Sequence, residues 1–224
     1  MHRLIFSIIF VASILIAVTS SAQTAPEFIT SWRAINYVPA TYLGKIFPTK
    51  GSIIIVGFDL LDKNQFVNLS KAEIQWDIDN TVLQTGIGIQ QVQFQSNTNT
   101  NQHVVRITIR NFGTSELNYT FTIPIKKPLL IIDAPVPNRQ LSLGPTLFRA
   151  LPYFFNTNNL STVRFQWSRN GQIVTGDANT PNALTLEISS EGNPVDSDIT
   201  LSASAQNILN PLENATQLLN LKIR

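Results

Sequence analysis

Ile74-Gln75-Trp76, followed by a polar turn and then Val82-Leu83-Gln84-Thr85-Gly86, is a stretch that occurs twice in this chain. The second copy is Phe165-Gln166-Trp167, followed by another polar turn and then Ile173-Val174-Thr175-Gly176. The tryptophans lie 91 positions apart (167 − 76) and the glycines 90 (176 − 86), so the copies differ by one residue in the turn. This period is too long for a solenoid repeat and matches a small β-sandwich of roughly 100 residues. The repeat therefore predicts two tandem β-sandwiches.

The first 22 residues have the pattern of a secretory signal peptide. Met1-His2-Arg3 is a short positive region, the following run to Val18 is apolar apart from two serines, and Ser20-Ser21-Ala22 offers small residues before a cleavage point at Gln23. The alternative is an uncleaved N-terminal membrane anchor, for which the apolar run is short compared with a span of ~20 residues. We predict a signal peptide over residues 1–22 and a secreted, periplasmic or cell-surface location. Contact with a membrane is expected only if the leader is retained.

The composition limits the chemistry that the chain can perform. The chain has 224 residues, of which 13% are charged and none is cysteine, and its formal net charge is +2. The absence of cysteine excludes thiol catalysis and thiolate metal sites, and the two cores must supply the stability that disulfides give many secreted domains. Because the positive charges form no basic stripe, we expect no binding to nucleic acid. The composition fits a bacterial envelope protein.

Short runs with a period of two recur after the leader, as half-buried strands require. In the first unit they predict strands at residues 52–61, 73–78, 87–94 (with a slip that would be a bulge), 105–109 and 117–125. In the second unit they predict strands at residues 129–133, 145–155, 163–167, 184–188, 199–205 and 216–224. Asn170-Gly171 is the strongest hairpin signal. Lys126-Lys127-Pro128 is a short linker, since proline interrupts regular pairing, and it divides a first domain at 23–126 from a second at 127–224.

Six or seven short strands per unit, with Trp76 or Trp167 on the third and a hairpin after it, resemble the immunoglobulin-like sandwich over about residues 29–224. Both units lack the cysteine pair of antibody domains and the tyrosine two residues before the second cysteine. The resemblance is therefore to the broad immunoglobulin-like group, including polycystic-kidney-disease-type domains, and is similar to the tandem modules of bacterial surface proteins. It implies an all-β fold, two tandem immunoglobulin-like β-sandwiches after an N-terminal signal peptide, and very little chemistry.

Catalytic residues are not expected. His103 is the only histidine after the leader, and its Asn/Thr/Gln-rich surroundings predict a solvated loop histidine. A Ser-His-Asp triad would have to use it, and no Gly-x-Ser-x-Gly elbow is present. The carboxylates are scattered over both units, whereas glycoside hydrolysis needs two of them facing each other across a cleft. We predict a protein that is not an enzyme and needs no cofactor.

Asp77 and Asp79 have two interpretations. Alternate carboxylates at a strand end can converge on calcium through hard oxygen ligands. The second unit has Ser168 and Asn170 among the equivalent residues, and the calcium-loop pattern with its glycine is absent. Polar hairpin turn residues explain the run equally well.

Aromatic residues are the feature of the sequence that indicates a binding surface. Trp32, Tyr37, Tyr42 and Phe47 precede the first predicted core strand. Exposed rings of this kind can stack on sugars or anchor a protein partner, and buried ones would cover the ends of the sandwich or join the two domains. We predict a structural or protein-interaction role in adhesion or envelope assembly, with an unknown protein or a surface glycan as partner. The alternatives are a carbohydrate-binding accessory module and an envelope chaperone, which would need a basic cleft between the domains.

Overall fold

The structure, a computed structural model, describes residues 25–97, 99–112, 115–189 and 197–224. The predicted signal peptide lies outside these residues. Strands and turns form nearly all of the described chain, with two short 3₁₀ turns at Pro137–Arg139 and Leu160–Thr162. None of its helices is long and apolar enough to cross a membrane.

The first sandwich consists of two antiparallel sheets. In one sheet β2 lies between β1 on one side and β6 and β3 on the other, and the facing sheet has the order β5-β4-β7-β8. The strands are β1 (Glu27–Ala34), β2 (Ile53–Asp62), β3 (Gln65–Phe66), β4 (Glu73–Ile78), β5 (Thr81–Ile87), β6 (Gln91–Gln95), β7 (Gln102–Phe112) and β8 (Ser115–Pro124).

The second sandwich also consists of two facing sheets, but its described residues have no counterpart of β3 and include a short additional strand, β10. Its sheets have the orders β9-β11-β14 and β10-β16-β15-β12-β13, and the short β10 runs parallel to the last strand. The strands are β9 (Leu129–Asp133), β10 (Gln140–Leu141), β11 (Gly144–Tyr153), β12 (Val163–Arg169), β13 (Gln172–Val174), β14 (Ala183–Ile188), β15 (Asp198–Asn207) and β16 (Asn214–Ile223).

The two tryptophans that mark the repeat lie in two separate hydrophobic cores, as predicted. Trp76 is fully buried among the residues of the first sandwich, and Trp167 is buried among those of the second. Each indole N–H donates to a backbone carbonyl in the loop after the hairpin, from Trp76 to Ile89 (2.8 Å) and from Trp167 to Pro181 (3.2 Å). The indoles therefore fix both the core and the path of the next loop.

The polar turns after the tryptophan strands are two-residue hairpin loops with the same brace. Asp79-Asn80 and Asn170-Gly171 all have positive φ, which matches the twist of the flanking strands in a type I′ turn. The side chain of Asp79 accepts the N–H of Val104 (2.9 Å), and that of Asn170 accepts the N–H of Thr200 (2.8 Å). The turn residue thus ties the hairpin to the neighbouring strand in both units, which explains why this stretch is repeated.

The strand order defines both units as immunoglobulin-like sandwiches, and the prediction of an all-β tandem fold is confirmed. Of the strand predicted at residues 87–94, residues 91–94 do lie in β6, but its continuity is wrong, because Gly88 has a φ of +69° and the chain turns between β5 and β6. The bulge lies instead in β5, where Leu83 is the extra residue opposite Trp76 and Asp77. The sequence pattern did not identify β1.

Candidate functional site

The aromatic residues singled out in the sequence lie near the junction of the two sandwiches. Trp32 is on β1, half-buried against the first core. The Nζ atom of Lys45 lies 3.6 Å from the centroid of its ring, and Phe47 meets it edge-on at 5.7 Å between centroids. Partial burial also lowers the pKa of Lys45. With one face against this cation and its edge against Phe47, the Trp32 ring has little surface left for a sugar.

Tyr37 connects the first part of the chain to the second sandwich. It lies in the connecting segment, residues 35–52, between β1 and β2. Its N–H donates to the carbonyl of Phe155, and the N–H of Phe154 donates to the carbonyl of Tyr37, each at 2.7 Å. The ring packs against the second core, and burial raises the pKa of its phenol. Tyr37 is therefore a structural residue of the junction.

Tyr42 belongs to a cluster of rings from both sandwiches. It meets Tyr153 and Phe154 edge-to-face, with centroid distances of 5.5 and 5.7 Å, and Phe47 meets Phe154 at 5.7 Å. Its phenol donates to the carbonyl of Lys45 (2.9 Å), which fixes the ring. Such edge-to-face pairs each contribute ~0.5–1.5 kcal/mol beyond the area that they bury.

Phe154 has a backbone conformation that bulky residues rarely adopt. Its φ is +64°, directly after β11 ends at Tyr153. A left-handed conformation at a non-glycine residue costs on the order of 1–3 kcal/mol, so the surroundings must hold it in place. Here the Phe154 carbonyl accepts the side-chain amide of Asn36 (3.0 Å), and its ring is buried beneath Tyr42 and Phe47.

A buried polar network lies beside these rings. Glu213 is only 5% exposed, and no described cation lies within 4 Å of its carboxylate. Its Oε1 accepts the Thr49 hydroxyl (3.0 Å) and the Asn156 N–H (2.7 Å), and its Oε2 accepts the Asn207 amide (2.7 Å). Thr49 in turn accepts the amide of Asn36 (3.2 Å). Three donors thus satisfy a buried carboxylate, and one of them comes from the connecting segment.

An open groove of ≈ 580 Å³ lies over the ring cluster. We call it the junction groove. Leu129 and Ile131 on β9 are 51% and 46% exposed and form one wall. Tyr153 is directly opposite Leu129 in the sheet and forms part of the floor. The complete lining consists of Tyr42, Phe47, Lys126, Lys127, Leu129, Ile131, Tyr153 and Phe154.

Lys126 and Lys127 give the junction groove a positive end. The Nζ atom of Lys126 lies 5.6 Å from the ring centroid of Phe47, and its N–H donates to the carbonyl of Pro48 (2.8 Å). No carboxylate of the described residues lies within 4 Å of either lysine. The groove therefore combines an apolar surface with uncompensated positive charge. The volume and apolar lining are those of a binding site for a ligand or a partner side chain.

From the sequence, these two lysines were predicted only to form part of the linker. The residues that follow them, Leu129 to Ile132, form an uninterrupted apolar run. In a sheet such a run indicates that both faces of the strand are covered. Leu130 and Ile132 are buried in the core, whereas Leu129 and Ile131 are not covered within the described chain. This run is the sequence signal that could have located the groove.

The carboxylates considered for calcium have protein partners. Both oxygens of Asp77 accept the side-chain amide of Gln75 (3.1 Å each). Asp79 holds its turn through Val104 and contacts His103 at 2.6 Å through Oδ2. No group of three or more potential metal ligands occurs within the residues that the structure describes. The turn geometry accounts for these two residues, and calcium binding stays a prediction for solution measurement.

The prediction that His103 is a solvated loop histidine is wrong. The residue is the second of β7 and is buried, with its ring edge-on to Phe94. Its Nδ1 faces Asp79, and its Nε2 accepts the Asn97 N–H (3.2 Å), with the Ser96 hydroxyl at 3.3 Å. The contact with Asp79 spans 24 positions, so the local sequence could not show it.

Ser96, His103 and Asp79 have the connectivity of a catalytic triad, but their environment is structural. Nε2 of His103 already accepts a backbone N–H and cannot also serve as a free base for the serine. The Ser96 side chain is buried, and none of the described grooves reaches it. The three residues tie β6, β7 and the first hairpin together.

Comparison with known proteins finds distant similarity to solved structures. No protein-family model matches it, and a search of curated protein sequences finds no match. Among solved structures, the N-terminal domains of the highly immunogenic outer capsid protein of bacteriophage RB49 align over 89% of this chain with 10% identity and a TM-score of 0.45. The chain spans 59% of that protein's length.

Two further solved structures align over most of this chain. The N-terminal Ig1-2 module of the Drosophila receptor protein tyrosine phosphatase DLAR aligns over 89% of this chain and 98% of its own length, with 14% identity and a TM-score of 0.28. The Bacteroides ovatus glucan-utilisation protein SGBP-B, solved with a mixed-linkage heptasaccharide, aligns over 87% of this chain and 47% of its own length, with 10% identity and a TM-score of 0.26. At this level of similarity no functional conclusion follows for this chain.

Proposed function

We propose that this chain is a non-enzymatic, extracytoplasmic interaction module with domains at 23–126 and 127–224, and that it binds a protein partner through the junction groove. The observation that carries the proposal is the apolar wall formed by Leu129 and Ile131, half exposed above a floor of rings. Exposed apolar surface next to a rigid aromatic floor is the arrangement that protein interfaces use for their anchor contacts.

Two features support a preformed site. Tyr42 is held by its hydrogen bond to Lys45, and Phe154 is held by Asn36, so the rings do not have to be ordered when a partner binds. Preorganisation of this kind leaves more of the contact energy available for affinity.

The extracytoplasmic location is supported by the leader pattern of residues 1–22. The mass of the exported chain tests it, because cleavage before Gln23 gives a defined N-terminus.

A random peptide library on phage and a glycan array, both applied to the chain from Gln23, test the binding role. Peptides selected on the wild type are expected to bind Ile131→Thr at least 10-fold more weakly. Ile173→Thr is the matched control, because Ile173 is 73% exposed on β13 and lies outside the groove. Threonine keeps the β-branched shape that strands favour, so neither variant should unfold the sandwich.

Equal binding to Ile131→Thr and the wild type would overturn the proposed site. Glycan binding that is lost on Tyr42→Ala, with the fold intact by circular dichroism, would favour the carbohydrate-binding alternative. Trp32→Ala is a weaker discriminator, because Lys45 and Phe47 already cover the Trp32 ring.

A further inference from the structure

We infer that the partner at the junction groove is an extended acidic peptide strand that pairs antiparallel with the free edge of β9. This inference rests on the proposed function, because it assigns the chemistry of the partner to the same groove. It follows from three observations: the open edge of β9, the apolar outer face of that strand, and the distribution of charge along it.

The edge of β9 is open for pairing. Residues Leu129 to Asp133 pair with Tyr153 to Arg149 of β11 along one edge, and no strand of the described chain pairs with the other edge. A free edge presents unpaired backbone N–H and C=O groups to an incoming strand. Another edge strand, β5, carries a bulge at Leu83, which interrupts its ladder and hinders pairing.

The outer face of β9 is built for contact with apolar side chains. Leu129 and Ile131 share this face, and their neighbours across the sheet are Tyr153 and Leu151. A strand added to the edge would place every second side chain over this face. Those side chains would lie beside the junction groove, so the peptide should be apolar at alternate positions.

Antiparallel pairing is the more stable kind per residue, and charge then determines which end of the added strand carries the carboxylates. Lys126 and Lys127 lie just before β9, and Asp133 ends it. None of the three has an ion pair within 4 Å in the described chain. Five residues of strand separate the two ends by ~16 Å, twice the Debye length of ~8 Å at physiological ionic strength, so each end acts on its own part of the peptide. Carboxylates at the C-terminal end of an antiparallel peptide would lie against the lysines.

Synthetic peptides with blocked ends test the inference directly. The acidic probe is Thr-Val-Thr-Val-Thr-Glu-Glu, the basic probe ends in Lys-Lys, and the reversed probe begins with Glu-Glu. Fluorescence anisotropy on the full chain from Gln23 is expected to show at least 10-fold tighter binding of the acidic probe than of the other two. The double variant Lys126→Glu/Lys127→Glu should reverse the preference between the acidic and basic probes, and 1 M salt should abolish it.

Backbone N-methylation distinguishes strand addition from simple charge attraction. Methylating the acidic probe at successive positions should weaken binding at every second position, because alternate N–H groups point toward β9. Equal affinity for the acidic and basic probes, or a scan without this period of two, would overturn the inference. A peptide from the phage library that depends on Ile131 but not on Lys126 and Lys127 would overturn it too while leaving the proposed function intact. Failure of every library peptide to depend on Ile131 would overturn both.

Discussion

Removing the carboxylate of Glu213 should destabilise the second sandwich and weaken its connection to the first. In Glu213→Ala, the Asn156 N–H and the Asn207 amide both lose a buried acceptor. The Thr49 hydroxyl loses one as well, although Ser52 lies 2.9 Å away and can accept from it instead. The Asn156 N–H is therefore left without a partner, the Asn207 amide keeps only its bond to the Asn156 carbonyl (3.3 Å), and the Thr49 hydroxyl is rearranged.

The magnitude follows from these contacts. A hydrogen bond to a charged group contributes ~1.5–3 kcal/mol, and bonds to a shared group are not additive. We expect a loss of about 3–5 kcal/mol for Glu213→Ala. Glu213→Gln retains one oxygen but turns an amide nitrogen toward a donor, so we expect a loss of about 1–2 kcal/mol. Thr49→Val removes the donor from the connecting segment and one acceptor of the Asn36 amide, which keeps the Phe47 and Phe154 carbonyls, so we expect a loss of ~1–2 kcal/mol.

Urea denaturation followed by circular dichroism measures these differences. With an m-value of ~2 kcal/mol/M, a loss of 4 kcal/mol lowers the midpoint by ~2 M. Glu187→Ala is the control, since Glu187 is an exposed carboxylate on β14 of the same sandwich. If Glu213→Ala unfolds within ~1 kcal/mol of the wild type, the buried network does not hold the junction and the reasoning fails.

Three further outcomes can be measured in the same assay. Trp76→Ala and Trp167→Ala should each lower the free energy of unfolding by ~3–5 kcal/mol, because each removes a buried indole; a loss below ~1 kcal/mol would contradict its place in a core. Gly171→Ala should lower the free energy of unfolding by ~1–2 kcal/mol, because φ is +81° at this residue. The added carbon itself meets no atom within 4 Å, so the loss comes from the backbone conformation. An unchanged midpoint would argue against the type I′ turn. Asp79→Asn should keep its turn, because asparagine occupies the equivalent position in the second unit. It should lower the free energy of unfolding by no more than His103→Ala, which removes the contact with Asp79 and also opens a cavity. A larger loss for Asp79→Asn than for His103→Ala would refute the brace.

The repeated stretch was sufficient to predict the class of fold. Trp76 and Trp167 indicated two cores, and Asn170-Gly171 located a hairpin with both residues at positive φ. These features are local, so the sequence shows them directly. The turn at Gly88 was missed because apolar residues continue on both sides of it, and alternation alone does not reveal a change of sheet.

The candidate site was much less accessible from the sequence. Its walls come from Tyr42, Ile131 and Phe154, which are far apart in the chain and meet only after both sandwiches have formed. The burial of Glu213 likewise depends on Thr49, which is 164 positions away. Contacts over such separations are set by tertiary packing and leave no periodic trace in the sequence.

The parallel pairing of β10 with β16 has a mechanical consequence. Gln140 and Leu141 lie beside Lys222 and Ile223, and the N–H of Arg224 donates to the carbonyl of Leu141 (2.8 Å). Because the strands point the same way, tension applied between residues 133 and 224 makes them slide lengthwise, and their hydrogen bonds resist together instead of opening in succession. A pull in this direction should therefore load the pairing of Gln140 with Lys222 and that of Leu141 with Ile223 at the same time.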